Sequence, residues 1–211
     1  MKRIGIIALG FLVACSGAGD SGEQSDAGAV VTQGADGSGF ADEGEGWRTL
    51  FDGQSLEGWV QRGDATWRVE DGTVTPDSPG PGFLTTAESF EDFQLRLEFW
   101  TDTIANGGVF LRIPLDGEIT QFNSLEVNIF DASAEWPTGS VNQVHRNSPE
   151  PTTGRWNSYD ITAEGDRVVV ILNGDTTVDA RAADRLSSGP IALQILGEGV
   201  IRYRNVRIRP R

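Results

Sequence analysis

Two short runs carry residue types able to do chemistry. One is Asn106-Gly107-Gly108-Val109-Phe110-Leu111-Arg112-Ile113, and the other is Ser124-Leu125-Glu126-Val127-Asn128-Ile129-Phe130-Asp131. Glu126 and Asp131 can take or give a proton, and Arg112 can hold a developing negative charge. Asn106 and Asn128 each offer paired donors and acceptors. Both runs alternate as half-buried strands do. In the first, Val109, Leu111 and Ile113 are expected to face a core, with Phe110 and Arg112 on the other side. In the second, Leu125, Val127 and Ile129 take the core, and Glu126, Asn128 and Phe130 share the opposite face. That face reads as the polar floor of a site, or simply as a solvated surface.

The rest of the chain supplies elements of the same kind. Phe93-Gln94-Leu95-Arg96-Leu97-Glu98-Phe99-Trp100 alternates cleanly, with Phe93, Leu95, Leu97 and Phe99 inward and Glu98 and Trp100 outward. Asp71-Gly72 and Asn173-Gly174 each join two β-rich runs and predict two-residue hairpins. Leu84-Thr85-Thr86 reads as a short edge segment, Ala182 to Leu186 as one helical turn, and Pro190–Leu196 and Val200–Ile208 as the last strands. Residues 132–154 form a long loop holding Trp136 and the only histidine, His145. Many strands, tight glycine turns and almost no helical periodicity predict an all-β fold, an antiparallel jelly-roll β-sandwich. The polar faces of its middle strands would line a concave groove.

Composition narrows the function. The 211 residues carry a formal charge of −14, with Lys2 the only lysine. Such a chain repels phosphate backbones, so nucleic acid is not an expected partner. With one histidine and one cysteine there is no zinc cluster. Calcium held by loop carboxylates and carbonyls is compatible with such a sandwich, but the sequence assigns it no residues. No metal site and no cofactor are placed.

The N-terminus reads as a targeting segment. Lys2 and Arg3 precede a short apolar run, Ile4 to Ala14, too short to span a bilayer and shaped as a secretory signal. Leu12-Val13-Ala14-Cys15 resembles the bacterial lipoprotein cleavage box, in which the cysteine is lipidated. Residues 1–14 are therefore expected to be a lipoprotein signal peptide. Residues 15–46 then hold the lipidated Cys15 and an acidic Gly/Ser tether without a basic residue. Residues 47–211 are the folded domain. Ser16 after the cysteine resembles an outer-membrane destination, so the chain is expected to be exported and lipid-anchored to the envelope. Its oligomeric state is left open.

From Trp47 to Arg209 the chain resembles the bacterial 3-keto-disaccharide hydrolase domain, a concanavalin A-like family. The likeness is carried by Leu50-Phe51-Asp52-Gly53, Leu56-Glu57-Gly58-Trp59, Trp67-Arg68-Val69-Glu70-Asp71-Gly72 and the two runs above. It continues through Gly154-Arg155-Trp156-Asn157, Leu172-Asn173-Gly174, Gly189-Pro190-Ile191-Ala192-Leu193-Gln194 and Tyr203-Arg204-Asn205-Val206. Three departures stand out. Asn106-Gly107-Gly108 replaces Asn-Ser-Gly, and Glu126-Val127-Asn128 replaces Glu-x-Gln. Leu193-Gln194-Ile195-Leu196-Gly197 replaces Leu-Gln-Asp-His-Gly, which removes a histidine at Leu196.

The resemblance implies a carbohydrate ligand and cleavage of an oxidised glycoside. A ketone at C3 acidifies the C2 proton, so the reaction needs a base and a group to hold enolate charge. Glu126 or Asp131 is then the expected base, with Arg112 and Arg204 on the oxyanion. Direct hydrolysis by the carboxylates Glu126 and Glu98 is a second route. Asn106, Asn128 and Gln194 suit sugar hydroxyls, Trp100 or Trp136 could stack on a sugar ring, and His145 could replace the missing histidine. Each has a structural alternative: an ion pair between Glu126 and Arg112, amides that satisfy loop backbone, and a surface histidine. Trp47, Trp59, Trp67 and Trp156 read as core or staple residues. The alternative function is a non-catalytic carbohydrate-binding or adhesion lipoprotein.

Overall fold

The computed structural model describes residues 44–78, 80–148 and 150–211. The signal segment, Cys15 and the tether up to residue 43 lie outside the described residues. Thirteen strands are described: β1 (Arg48–Phe51), β2 (Trp59–Gly63), β3 (Trp67–Glu70), β4 (Thr73–Pro76), β5 (Gly82–Thr86), β6 (Phe93–Thr101) and β7 (Gly107–Leu111). The others are β8 (Leu125–Ile129), β9 (Trp156–Glu164), β10 (Arg167–Leu172), β11 (Asp175–Arg181), β12 (Ala192–Ile195) and β13 (Ile201–Pro210). Among the described residues there is no helix.

All pairings are antiparallel, and the strands form two sheets. An eight-stranded sheet runs β11-β10-β9-β6-β13-β4-β3, with β1 also on β13, and a five-stranded sheet runs β2-β5-β12-β7-β8. This is the expected jelly-roll sandwich. The two hairpins form as read. Asp71 and Gly72 have φ of 49° and 73°, and Asn173 and Gly174 have 53° and 96°, both left-handed as a type I′ turn requires.

The core lies between the sheets. Phe93, Leu95, Leu97 and Phe99 of β6 are fully buried, with Tyr159 and Ile161 of β9 and Tyr203 of β13. They meet Val109, Leu111, Val127, Ile129, Leu193 and Leu84 from the five-stranded sheet. Two core tyrosines cross the sandwich. The Tyr159 hydroxyl donates to the Asn128 carbonyl at 2.6 Å and accepts from the Gly139 N–H at 2.9 Å. The Tyr203 hydroxyl donates to the carbonyls of Gln194 at 3.0 Å and Gly108 at 3.3 Å. Burial raises the pKa of both phenols, so both remain donors. These bonds hold β7, β8 and β12 in place from behind.

Three local readings are corrected. Leu84-Thr85-Thr86 belongs to β5, which is internal, because β2 (Trp59–Gly63) pairs along its outer side. Ala182 to Leu186 is a single non-helical turn closed by Arg185 N–H to the Ala182 carbonyl at 3.2 Å. Ile113 does not continue the inward face of β7. Arg112 has φ of +53°, which ends the strand and reverses the alternation. Ile113 therefore packs outside the sheet with Phe110, Ile119 and Ala192.

Candidate functional site

On the outer face of the five-stranded sheet the register aligns the polar residues. Gly108 of β7 lies between Gln194 of β12 and Asn128 of β8. One step along, Phe110 pairs with Glu126. Above this floor is a cavity of about 440 Å³, within the range of roughly 300–1,000 Å³ usual for small-molecule sites. Its floor is Asn106, Glu126, Asn128, Asn142 and Gln194, and its walls are Phe110, Ile119–Phe122, Phe130, Ser133, Trp136 and Leu196.

Glycine makes the room. A Cβ on Gly108 would stand 2.9 Å from the Val127 carbonyl, 3.4 Å from Glu126 Cγ and 3.6 Å from Glu126 Oε1. The Glu126 side chain therefore lies over the bare backbone of Gly108. Gly107 serves the neighbouring strand, since a Cβ there would meet the Gln194 carbonyl at 2.4 Å.

Glu126 is 8% exposed, and burial pushes its carboxyl from the ordinary 4.5 up to about 7, against a hydrogen bond from the Asn142 side chain that favours the ionised form. A carboxyl poised there can both accept and return a proton near neutral pH. Asn142 comes from the long loop, which pairs beside β8. Asn142 N–H donates to the Glu126 carbonyl at 2.9 Å, and Asn128 N–H to the Ser140 carbonyl at 2.9 Å. Sequence reading missed Asn142, and its only signal was the length of the loop. The Asn128 side-chain amide donates to the Trp136 carbonyl and fixes the wall. Three buried polar atoms of lining residues have no hydrogen-bond partner among the described residues: Asn142 Oδ1, Gln194 Oε1 and Trp136 Nε1. Each such atom is stabilised when a ligand or water supplies its partner.

The other residues read as candidates lie elsewhere. Arg112 is 3% exposed and does not line the cavity. Its Nε donates to the Glu91 carbonyl at 2.7 Å, one terminal nitrogen to the Gly165 carbonyl at 2.6 Å, and the other to Asp92 Oδ1 at 3.0 Å. It is a structural tie between loops, and it pairs with Asp92 rather than Glu126. Burial lowers its pKa, with Asp92 and Glu91 opposing. Asp131 is likewise occupied. It accepts from Thr138 Oγ1 at 2.6 Å, Thr152 Oγ1 at 2.7 Å, Thr152 N–H at 2.6 Å and Thr153 N–H at 3.1 Å. It pins the long loop instead of facing the cavity.

Glu98, Trp100 and Arg204 do point outward, but from the eight-stranded sheet. Glu98 accepts from Arg204 Nε at 2.8 Å and from the Asn205 amide at 2.6 Å. Arg204 stacks on Trp156 at 4.0 Å, and Arg202 on Trp100 at 5.2 Å. Glu98 is therefore on the wrong sheet to form a two-carboxylate pair with Glu126. His145 is exposed, bridges to Val141 through its backbone, and does not line the cavity. The site brings together Asn106, Glu126, Asn128 and Gln194, with Trp136. Leu196 stands at its rim, where the resemblance implied a histidine. Of the remaining tryptophans, Trp67 is in the core and Trp47 stacks under Arg96 and Arg209. Trp59 donates to the Leu50 carbonyl at 2.8 Å. Among the described residues no three or more His, Cys, Asp or Glu side chains group as metal ligands would.

The jelly-roll sandwich, with amides and one buried carboxyl in a cavity on a sheet face, is linked by its family match to carbohydrate-active, glycoside hydrolase-like domains. The profile of the 3-keto-alpha-glucoside-1,2-lyase-like domain matches residues 46–209, and the chain belongs to that family. A 3-keto-disaccharide hydrolase of Bacteroides thetaiotaomicron is 28% identical over 127 residues, covering 49% of this chain and 44% of that protein. The match thus spans less than half of the relative. A Parabacteroides distasonis protein assigned as a glycosyl hydrolase superposes with a TM-score of 0.70 at 20% identity, covering 79% of this chain and 94% of its own. A carbohydrate-binding module from Bacillus subtilis gives 0.58 at 18% identity, covering 72% and 95%. These two likenesses establish the fold.

Proposed function

We propose that the domain binds a glycoside in the cavity over Gly108 and cleaves it when the sugar carries a 3-keto group, with Glu126 as the proton carrier. The observation that carries this reading is a single buried carboxyl, its pKa about 7, on a floor of amides. Ionised Glu126 takes the C2 proton, and the electron pair moves into the C2–C3 enolate. The amides of Asn106 and Gln194 are suited to steady the enolate oxygen. The enolate collapses, the C1–O bond breaks, and C1=C2 forms as the ketone is restored. The leaving oxygen takes the proton back from Glu126. Water then adds across C1=C2 to give the free keto-sugar. The Bacteroides relative, a 3-keto-disaccharide hydrolase by name, supports the oxidised substrate.

The test is turnover of 3-keto-glucosides beside their unoxidised parents. Selective turnover of the keto form, reduced at least 100-fold by Glu126→Gln, supports the reading. Turnover retained in that variant would sink it. A second reading, binding without cleavage, is favoured by Leu196, which removes a proton-transferring side chain from the rim. Saturable sugar binding without turnover of any keto-glucoside would select it.

The same proposal extends to location. Lys2-Arg3, the apolar run and Ala14-Cys15 support an exported lipoprotein, anchored through Cys15 to the envelope, with the outer membrane as destination. Metabolic labelling with a radioactive fatty acid tests it, since Cys15→Ala abolishes the label if the anchor is there.

A further inference from the structure

The cavity is lined by side chains of two unlike kinds. Its floor is polar, whereas its lining also includes Phe122 and Leu196, which are 65% and 47% exposed. Large apolar side chains that line a cavity while exposed to water are stabilised when a ligand covers them.

Both are held there by design of the local backbone. Phe122 stands on a turn in which Ser124 N–H donates to the Thr120 carbonyl at 3.1 Å and Phe122 N–H to Thr120 Oγ1 at 3.3 Å. Asn123 closes that turn, accepting from Thr120 N–H at 2.9 Å and donating to the Glu118 carbonyl at 2.9 Å. The base of the loop is clamped by Arg62, which donates to the carbonyls of Pro114 at 3.1 Å and Gly117 at 2.7 Å, and by Ile113 and Ile119 packing on Phe110. Leu196 is fixed by its own N–H, which donates to the Asn106 carbonyl at 2.7 Å.

We infer that Phe122 and Leu196 receive the aglycone, so that the preferred ligands are glycosides of an aromatic or other apolar alcohol rather than of a second sugar. The inference rests on the proposed glycoside site and adds the chemistry of its leaving side. A second sugar brings hydroxyls that need partners, and Phe122 and Leu196 offer none. An aryl group brings apolar area, which both side chains cover.

The experiment measures calorimetric binding of phenyl and methyl glucosides, both anomers, to the full chain. Phe122 and Leu196 are exposed, so Phe122→Ala and Leu196→Asn spare the core. Phenyl glucoside is expected to bind about tenfold more tightly than methyl glucoside. The preference is expected to fall to about twofold in Phe122→Ala and to weaken in Leu196→Asn. Equal binding of the two ligands, no saturable binding of either, or a phenyl preference indifferent to both substitutions overturns the inference. Turnover of methyl 3-keto-glucoside, measured in parallel, separates the two claims. Turnover without a phenyl preference overturns the aglycone inference alone, and a phenyl preference lost on Phe122→Ala but without turnover supports it while overturning cleavage.

Discussion

Glu126→Gln gives a pH-dependent change in stability whose size follows from the burial of one carboxyl. In the folded chain Glu126 keeps its proton up to about pH 7, whereas its ordinary value is 4.5. Between those values the folded state binds more protons than the unfolded state, so this group's contribution to stability falls as pH rises. Above about pH 7 both states are ionised and the loss is complete. At about 1.36 kcal/mol per pH unit the full loss is about 3 kcal/mol. Glutamine carries no charge and keeps an oxygen for the Asn142 amide. The variant should therefore match the wild type near pH 4 and exceed it by about 3 kcal/mol at pH 8. Denaturant unfolding of both proteins at steps from pH 4 to 8 reads the difference directly, because titrations elsewhere cancel. A difference that stays flat across that range would refute the burial argument, and with it the reason for choosing Glu126 as the proton carrier.

Other substitutions separate site from scaffold. Gly108→Ala puts a Cβ 2.9 Å from the Val127 carbonyl and against the Glu126 carboxyl. It should cost about 1–3 kcal/mol in unfolding and weaken sugar binding by about tenfold or more in titration. Arg112→Ala leaves the carbonyls of Glu91 and Gly165 without donors. It should cost about 2–4 kcal/mol in denaturant unfolding, while sugar affinity of the folded protein is unchanged. Asp131→Ala removes the acceptor of the N–H groups of Thr152 and Thr153. Amide exchange at those two residues should speed up, with a stability loss of about 2 kcal/mol. Turnover of the keto-glucoside should rise with pH through about 7 as Glu126 ionises. A rate independent of pH from 5 to 8 would remove Glu126 as the base.

Alternation within β6 and β8 was enough to sort their residues into inward and outward sets. Phe93, Leu95, Leu97 and Phe99 are all fully buried, and Glu126 and Asn128 do share the cavity face. Asp71-Gly72 and Asn173-Gly174 were enough for the hairpins, since few residues other than Gly, Asn and Asp tolerate positive φ. The reading of Arg112 failed where that local rule was broken, because a left-handed residue reverses the alternation and no pattern announces it.

A period of two states that a side chain points out of its sheet, and it is silent on which sheet that is. Glu98 and Trp100 read as outward like Glu126, and the resemblance added Arg204, yet strand pairing sets all three on the outer face of the other sheet. Pairing is a contact between residues far apart in the chain, so only the folded register brings Gln194, Gly108 and Asn128 into one row. The same holds for Asn142, delivered by a loop that pairs with the edge of β8. The proton affinity of Glu126 belongs to the tertiary structure as well. The residue type sets a value of 4.5, and the loss of water around a carboxyl lying over Gly108 raises it to about 7.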